Sequence, residues 1–176
     1  DVVVVLDTSG SMSAEEIKAV ISRFADAALR CKRAGLEMIM IHGGHGHLVG
    51  SFFSPATNRR SDSYGGDLRK RARFAIEVLE AIRAKIGDDV AIEYRISADE
   101  LVPGAPSVEE TIEFATMIED RIDLLHVSAG NLYVQETSPK MIQPIYVPRG
   151  INVDYAARFK QALRIPVHTK QICDTS

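Results

Sequence analysis

The 176-residue sequence predicts an α/β fold in which parallel strands alternate with helices. Two observations support this prediction. Short apolar runs, of which residues 36–41 are the clearest, have the length and composition of strands that are covered on both faces. Between them lie segments with apolar residues at helical spacing, opened by serine capping boxes and closed by glycines. The pattern alone leaves open whether the sheet is doubly wound or a (β/α)8 barrel.

The predicted elements follow in order along the chain. We predict strands at residues 1–7, 36–41, 90–97, 122–128 and 165–169. Predicted helices lie between Ser13 and Gly35, from Asp67 to about residue 85, from Ser107 to about residue 120, and over residues 152–163. Residues 129–150 are expected to form a long loop, and loops of that length are often functional.

Composition excludes several classes of function. Hydrophobic and charged contents of 45% and 26%, with a net charge of −3, give no electrostatic case for nucleic acid or an anionic membrane as partner. Cys31 and Cys173 form no Cys-x-x-Cys pair, and no signal peptide or transmembrane run is visible, which favours a reducing, cytoplasmic location. Because the chain begins at Asp1 and lacks a closing helix, we expect both ends to be cut.

Three histidines occur within six positions, among three glycines, where an apolar run ends. His42, His45 and His47 therefore follow a predicted buried strand directly. The carboxyl edge of a parallel sheet is where ligands of α/β proteins are held. Glycines allow a close approach to a flat ligand, and each neutral imidazole offers one hydrogen-bond donor and one acceptor. The sequence thus places the functional site here.

This segment and the following loop match a longer pattern. An apolar strand leads into His-x-x-His-Gly, followed by Phe-Ser-Pro at residues 53–55, Asn-x-Arg-x-Asp-x-Tyr-Gly-Gly at residues 58–66, and Arg-Ala-Arg-Phe at residues 71–74. It resembles the Old Yellow Enzyme family of flavin-dependent reductases, which has histidine or asparagine at the second histidine position. The resemblance is strongest to the branch with 2,4-dienoyl-CoA reductase, clostridial enoate reductases and bile-acid-inducible flavin oxidoreductases, and extends over residues 13–170.

The resemblance implies a partial (β/α)8 TIM barrel, with the strands corresponding to about the fourth to seventh of the barrel. The whole chain, residues 1–176, would be one incomplete FMN-binding domain, with residues 1–12 forming a strand and turn. NAD(P)H-reduced FMN would deliver hydride to an activated C=C bond of a small enone, enoate or enoyl-CoA. A 4Fe-4S centre and FAD would belong to the full-length parent, together with the missing barrel segments, and are not encoded in this segment.

The resemblance also assigns roles to individual residues. His42 and His45 would hydrogen-bond the substrate oxygen, and His47 stands where the family has a proton-donating tyrosine. Arg95 would face the flavin pyrimidine edge, the alternative being an ion pair with Glu93 on the same strand face. No metal site is predicted, because no Asp, Glu or Cys joins the three histidines at ligand spacing.

Two further interpretations concern the surrounding residues. A polar cluster is expected to brace the site loop, and it comprises Arg59, Arg60, Asp62 and Tyr64. Ser128-Ala129-Gly130 matches a family strand end near the substrate. The residues after Thr169 lack the family's phosphate-binding glycines, so the isolated chain is expected to bind FMN weakly.

An alternative function rests on a motif near the start of the chain. Asp7-Thr8-Ser9-Gly10-Ser11 resembles the metal-site signature of von Willebrand factor A-type domains, which would make the chain a magnesium-dependent binding module. A plain serine turn is the simpler interpretation, because those domains have no place for a His-Gly loop.

Overall fold

The computed structural model describes residues 11–169, and its centre is a four-stranded parallel sheet. Its strands are β1 (Met38–His42), β2 (Ala91–Ser97), β3 (Leu124–Ser128) and β4 (Val167–Thr169). They lie in chain order across the sheet, and every neighbouring pair is parallel. A barrel wall has this continuous order, whereas a doubly wound sheet reverses it at a switch point. The strand predicted at residues 1–7 lies outside the described residues.

Within residues 11–169, six α-helices accompany these strands. They are α1 (Ala14–Arg33), α2 (Leu48–Phe53), α3 (Leu68–Ile86), α4 (Val108–Ile118), α5 (Ser138–Met141) and α6 (Val153–Ala162). The four long helices confirm the predicted positions to within a few residues. The short helices α2 and α5 were not predicted, because four to six residues without a side-chain cap carry no periodic signal.

Helix caps explain where the long helices begin. Ser13 and Glu16 form the predicted capping box at α1, with both reciprocal hydrogen bonds present. Ser107 accepts from the Glu110 amide and so caps α4. The prediction that Glu110 completes a capping box with Ser107 is wrong, because the Glu110 carboxylate pairs instead with Arg71 of α3.

The two faces of the sheet have different surroundings. One face of β2 carries Ile92, Tyr94 and Ile96, which are fully buried, and Tyr94 packs on Phe114 of α4 with ring centroids 5.9 Å apart. The opposite face, here called the inner face, carries Glu93, Arg95 and Ser97 as strand alternation predicts. The strand register aligns four residues there in one row: His42, Arg95, His126 and His168. This row lies on the inner face of the partial barrel.

Within residues 11–169, no helix has both the length and the apolar character required to span a lipid bilayer.

Candidate active site

The loop after β1 lies flat against the end of β2. Its first amide, at Gly43, donates to the Arg95 carbonyl oxygen at 2.8 Å and so extends the strand pairing by one residue. A Cβ at Gly43 would lie 2.0 Å from the Tyr94 hydroxyl oxygen, and one at Gly44 would lie 2.6 Å from the Ser97 amide nitrogen. Glycine is required at both positions because the Tyr94 ring and the Ser97 backbone occupy the space that a Cβ would need.

His45 is held between the ends of two strands. Its amide donates to Ser97 Oγ at 2.9 Å, and its Nε2 lies 2.8 Å from Ser128 Oγ. Its carbonyl oxygen accepts from the Leu132 amide, and a single β-bridge pairs it with Asn131. The residue is 4% exposed. The loops after β1 and β3 therefore meet at this histidine.

The hydrogen bonds of His42 define where its proton lies. Burial lowers its pKa to about 3, with smaller contributions from His47, His45 and Arg95. The ring is therefore neutral near pH 7, and its Nδ1 accepts from the Gly44 amide at 3.3 Å. With Nδ1 acting as the acceptor, the proton lies on Nε2, which becomes a hydrogen-bond donor.

The His45 ring is also neutral. Burial lowers its pKa to about 3, and the Arg95 charge is the next contribution. Arg95 Nη2 donates to Ser128 Oγ at 3.5 Å, and the serine hydroxyl either donates to His45 Nε2 or accepts from it. In the tautomer that accepts from the serine, the His45 proton lies on Nδ1.

The three histidines form one group, here called the edge cluster (His42, His45 and His47). The His42 ring centroid lies 4.9 Å from that of His45 and 4.3 Å from that of His47. His47 is exposed and precedes α2 without capping it through its side chain. Burial, followed by the charge of Arg95, lowers its pKa.

Arg95 has an incomplete set of hydrogen-bond partners. Its Nη2 reaches the Met141 carbonyl oxygen and Ser128 Oγ, both at 3.5 Å, and its Nε is buried without a partner among the described residues. The alternative ion pair with Glu93 is wrong for residues 11–169, because the Glu93 carboxylate is bound by His126 and His168. A buried guanidinium nitrogen without an acceptor is costly, and a ligand acceptor would satisfy it.

The expected brace of the site loop is present in part. Arg60 pairs with Asp62, Asp62 accepts from the Tyr64 amide, and the Tyr64 hydroxyl donates to Glu77 of α3. Arg59 makes none of these contacts within the described residues.

Two side chains that hold the loop after α2 in place, Asn58 and Arg71, were not predicted from the sequence. Asn58 Nδ2 donates to the carbonyl oxygens of Phe52 and Tyr64. Arg71 donates to the carbonyl oxygens of Phe53 and Gly66. The signal for Arg71 was available, since an arginine on the apolar face of a predicted helix must find buried acceptors.

The buried carboxylate of Glu100 stabilises the loop that contacts the edge cluster. Glu100 is 5% exposed, and its Oε2 accepts from Ser54 Oγ at 3.1 Å and from Asn131 Nδ2 at 2.9 Å. Burial raises the pKa of Glu100. Through Asn131 it fixes the loop that bridges to His45. No local spacing in the sequence indicated this contact.

Comparison with known proteins places this geometry in a family. Residues 5–163 match the sequence model of the NADH:flavin oxidoreductase / NADH oxidase family. The chain belongs to this family. The family implies a flavin, FMN, and a nicotinamide reductant. Its match begins at residue 5 and takes in the whole Asp7–Ser11 motif, so the von Willebrand factor A-like alternative is not favoured. Of that motif, residues 7–10 lie outside the described part of the chain.

Relatives within the NADH:flavin oxidoreductase family cover most of this chain. An NADH oxidase from Thermoanaerobacter brockii is 41% identical over 159 residues, which are 90% of this chain and 24% of that protein. A multifunctional alkene reductase/demethylase from Caballeronia cordobensis is 37% identical over 163 residues, 90% of this chain and 23% of that protein. The chain thus spans about a quarter of the length of these relatives.

Solved structures agree with this assignment. A 2-naphthoyl-CoA reductase in complex with 2-naphthoyl-CoA superposes with a TM-score of 0.82 at 33% identity, covering 91% of this chain and 24% of that one. An Old Yellow Enzyme homologue from Zymomonas mobilis, at 24% identity, gives a TM-score of 0.71 and covers 93% of this chain and 44% of that one. The parallel sheet is therefore part of a TIM barrel.

The residues present fit an FMN ring system. The unpartnered Nε of Arg95 requires an acceptor, and the N1 and C2=O atoms of a flavin pyrimidine ring are acceptors.

Proposed function

We propose that this chain carries the substrate-polarising and part of the FMN-binding residues of an NAD(P)H-dependent ene reductase. The substrate is a small molecule with a C=C bond activated by a carbonyl group: an enone, an enoate or an enoyl thioester. The observation that carries the proposal is the pair of neutral imidazoles at the strand edge, of which His42 has its N–H donor at Nε2. Two similar proteins, an alkene reductase and a 2-naphthoyl-CoA reductase, support the substrate class by their names.

The edge cluster would act on the substrate oxygen. His42 through Nε2 and His45 through Nδ1 donate hydrogen bonds to the carbonyl oxygen, whose negative charge grows as the β-carbon accepts hydride. Bound FMN, once reduced by NAD(P)H, supplies that hydride. Because both imidazoles are neutral and already oriented, they stabilise the charge without a proton transfer of their own.

Arg95 and His47 would have separate tasks. Arg95 binds the flavin pyrimidine edge through its unpartnered Nε, and its fixed charge favours the anionic reduced ring. His47, exposed beside His42, delivers the proton to the substrate α-carbon. The pKa of His47 is lowered, so its ring is mostly neutral near pH 7. A solvent proton must therefore either protonate His47 or protonate the α-carbon directly.

The test separates the two half-reactions of the purified full-length protein. It should carry about one FMN per polypeptide, and His42→Ala should slow reoxidation by a cyclic enone by roughly 10²-fold or more, as for loss of one oxyanion donor. Flavin reduction by NAD(P)H should stay nearly unchanged. His42→Gln, which keeps an N–H donor, is the matched control and should recover part of the rate. A colourless protein, or an unchanged enone reaction in His42→Ala, contradicts the proposal.

A further inference from the structure

A second polar cluster lies on the inner face of the sheet, apart from the loop histidines. Glu93 of β2, His126 of β3 and His168 of β4 each offer one ligand atom, and these atoms lie within 4.8 Å of one another. Across residues 11–169, this is the one group of at least three His, Cys, Asp or Glu residues with such convergence. We call it the inner cluster.

The distances are close to those of a metal site. Glu93 Oε1 lies 3.1 Å from His126 Nδ1 and 2.6 Å from His168 Nε2. A tetrahedral zinc ion with bonds of about 2.0–2.1 Å separates its ligand atoms by about 3.3 Å. Small side-chain rotations would therefore convert the present hydrogen bonds into metal–ligand bonds, with no change in the strands.

The two histidines of the inner cluster have few hydrogen-bond partners, and His126 Nδ1, which faces the Glu93 carboxylate, is the nitrogen of that ring available to an ion. His126 is 8% exposed, and its Nε2 is buried without a hydrogen-bond partner in the described part of the chain. His168 stacks beside it with ring centroids 4.3 Å apart. Two histidines whose contacts are a single carboxylate and each other have less hydrogen bonding than buried imidazoles require.

We propose that Glu93, His126 and His168 form a binding site for a divalent transition-metal ion, with Zn²⁺ as the ion that best suits them. Two imidazoles and one carboxylate are a known zinc donor set, which leaves one coordination position open. Ca²⁺ and Mg²⁺ fit poorly, because they prefer oxygen ligands. The site does not depend on the flavin or on the proposed ene reductase activity.

The positive charge of Arg95 opposes metal binding at this site and weakens its affinity. Its backbone is registered between His42 and His126, so its positive charge lies next to any bound ion. We therefore expect Zn²⁺ to bind with a dissociation constant weaker than that of a structural zinc site.

The experiment is a metal titration of the purified full-length protein after chelator treatment. Zn²⁺ is titrated against a chromophoric chelator, and Co²⁺ is added separately because its d–d absorption reports tetrahedral coordination. We expect one ion per chain. His168→Gln and Glu93→Gln should each weaken Zn²⁺ binding by more than about 10-fold, since loss of outer partners alone costs that much. His47→Gln is the matched control, because it removes an imidazole from the edge cluster and should leave Zn²⁺ affinity unchanged.

Folding is monitored in the same samples. His168 has a side chain 43% exposed at the last described strand, so the His168→Gln variant is expected to fold. Saturating Zn²⁺ should raise the midpoint of thermal unfolding of the parent protein and not that of His168→Gln. The proposal is overturned if no stoichiometric ion binds, or if His47→Gln abolishes binding while His168→Gln preserves it. The inner cluster would then be a hydrogen-bonded Glu–His group only.

Discussion

The edge cluster, at the end of β1 and in the loop that follows, and the inner cluster, on the strands, are both built around histidines, yet their partners give them opposite chemistry. The edge histidines contact hydroxyl and amide groups and lie near the charge of Arg95, so they remain neutral hydrogen-bond donors suited to a substrate oxygen. The inner histidines contact the carboxylate of Glu93, which suits a cation. The partner group, and not the number of imidazoles, decides what a histidine cluster can bind.

Substituting Gly43, in the loop after β1, should disrupt the edge cluster and leave the inner cluster intact. In Gly43→Ala the new Cβ would overlap the fully buried Tyr94 ring, whose Cζ lies 2.1 Å from its position. We expect destabilisation of about 3 kcal/mol or more, as for severe overpacking, and loss of enone reduction in any folded protein. Urea denaturation and the enone assay measure the two effects.

Gly104→Ala is the control for Gly43→Ala. Gly104 has a positive φ, which Gly43 does not have, and a Cβ at Gly104 meets nothing within 4 Å. It should cost about 1–2 kcal/mol from backbone strain alone, with the enone reaction intact. Equal destabilisation by both substitutions would show that steric overlap with Tyr94 is not what fixes the loop.

Acid should destabilise the protein largely through the edge cluster. His42 and His45 have folded pKa values of about 3 against 6.5 for the free side chain, so below pH 6.5 the unfolded chain binds more protons than the folded one. Stability is therefore full above pH 6.5 and falls as the pH drops toward 3. Allowing for solvent screening, we expect a loss of roughly 2 kcal/mol for each ring between pH 7 and pH 4.

The midpoint of urea denaturation, measured from pH 7 to pH 4 in the parent protein and in His42→Gln, tests the predicted loss of stability in acid. The variant should show a weaker pH dependence, because glutamine does not titrate. Burial lowers the pKa of His126 in the inner cluster too, but the Glu93 carboxylate opposes that shift. A pH dependence unchanged in His42→Gln would place the acid sensitivity elsewhere.

Arg95 lies beside both clusters, so its replacement should affect them in opposite directions. Arg95→Met removes a charged hydrogen bond of about 1.5–3 kcal/mol from the reduced flavin, which corresponds to a reduction potential lower by roughly 30–60 mV. The same change removes the positive charge next to the inner cluster and should tighten Zn²⁺ binding.

Arg95→Lys keeps the charge and loses the planar fork, so it should lower the potential less and leave Zn²⁺ affinity near that of the parent. Spectroelectrochemistry and the metal titration measure the two effects. A potential that does not move in Arg95→Met would remove Arg95 from the flavin site.

The smallest expected effect is at Ser128. Its Oγ lies between His45 Nε2 and Arg95 Nη2, at 2.8 Å and 3.5 Å. Ser128→Ala should cost about 1 kcal/mol of transition-state stabilisation, close to a five-fold fall in enone kcat/KM. Ser128→Thr keeps the hydroxyl and should restore the rate, whereas equal losses in both variants would point to crowding at β3.

The two clusters also differ in how far the sequence predicts them. His42 and His45 could be placed because strand, glycines and histidines are contiguous, and alternation on β2 put Glu93 and Arg95 on one face. The inner cluster could not be predicted, because its histidines lie 33 and 75 positions from Glu93 and meet it only through strand register. The same holds for Glu100, whose acceptor role depends on two loops meeting above the sheet.

The backbone of His45 restricts which side chains can do its work. Its φ is +57°, a left-handed conformation that asparagine, aspartate and histidine adopt several times more often than other side chains. The Old Yellow Enzyme pattern, which allows histidine or asparagine at this position, agrees with that restriction. A branched aliphatic residue is excluded by the torsion before its lack of a donor matters. The torsion thus favours asparagine, aspartate and histidine, and of these asparagine and histidine can donate a hydrogen bond to an oxygen atom near pH 7.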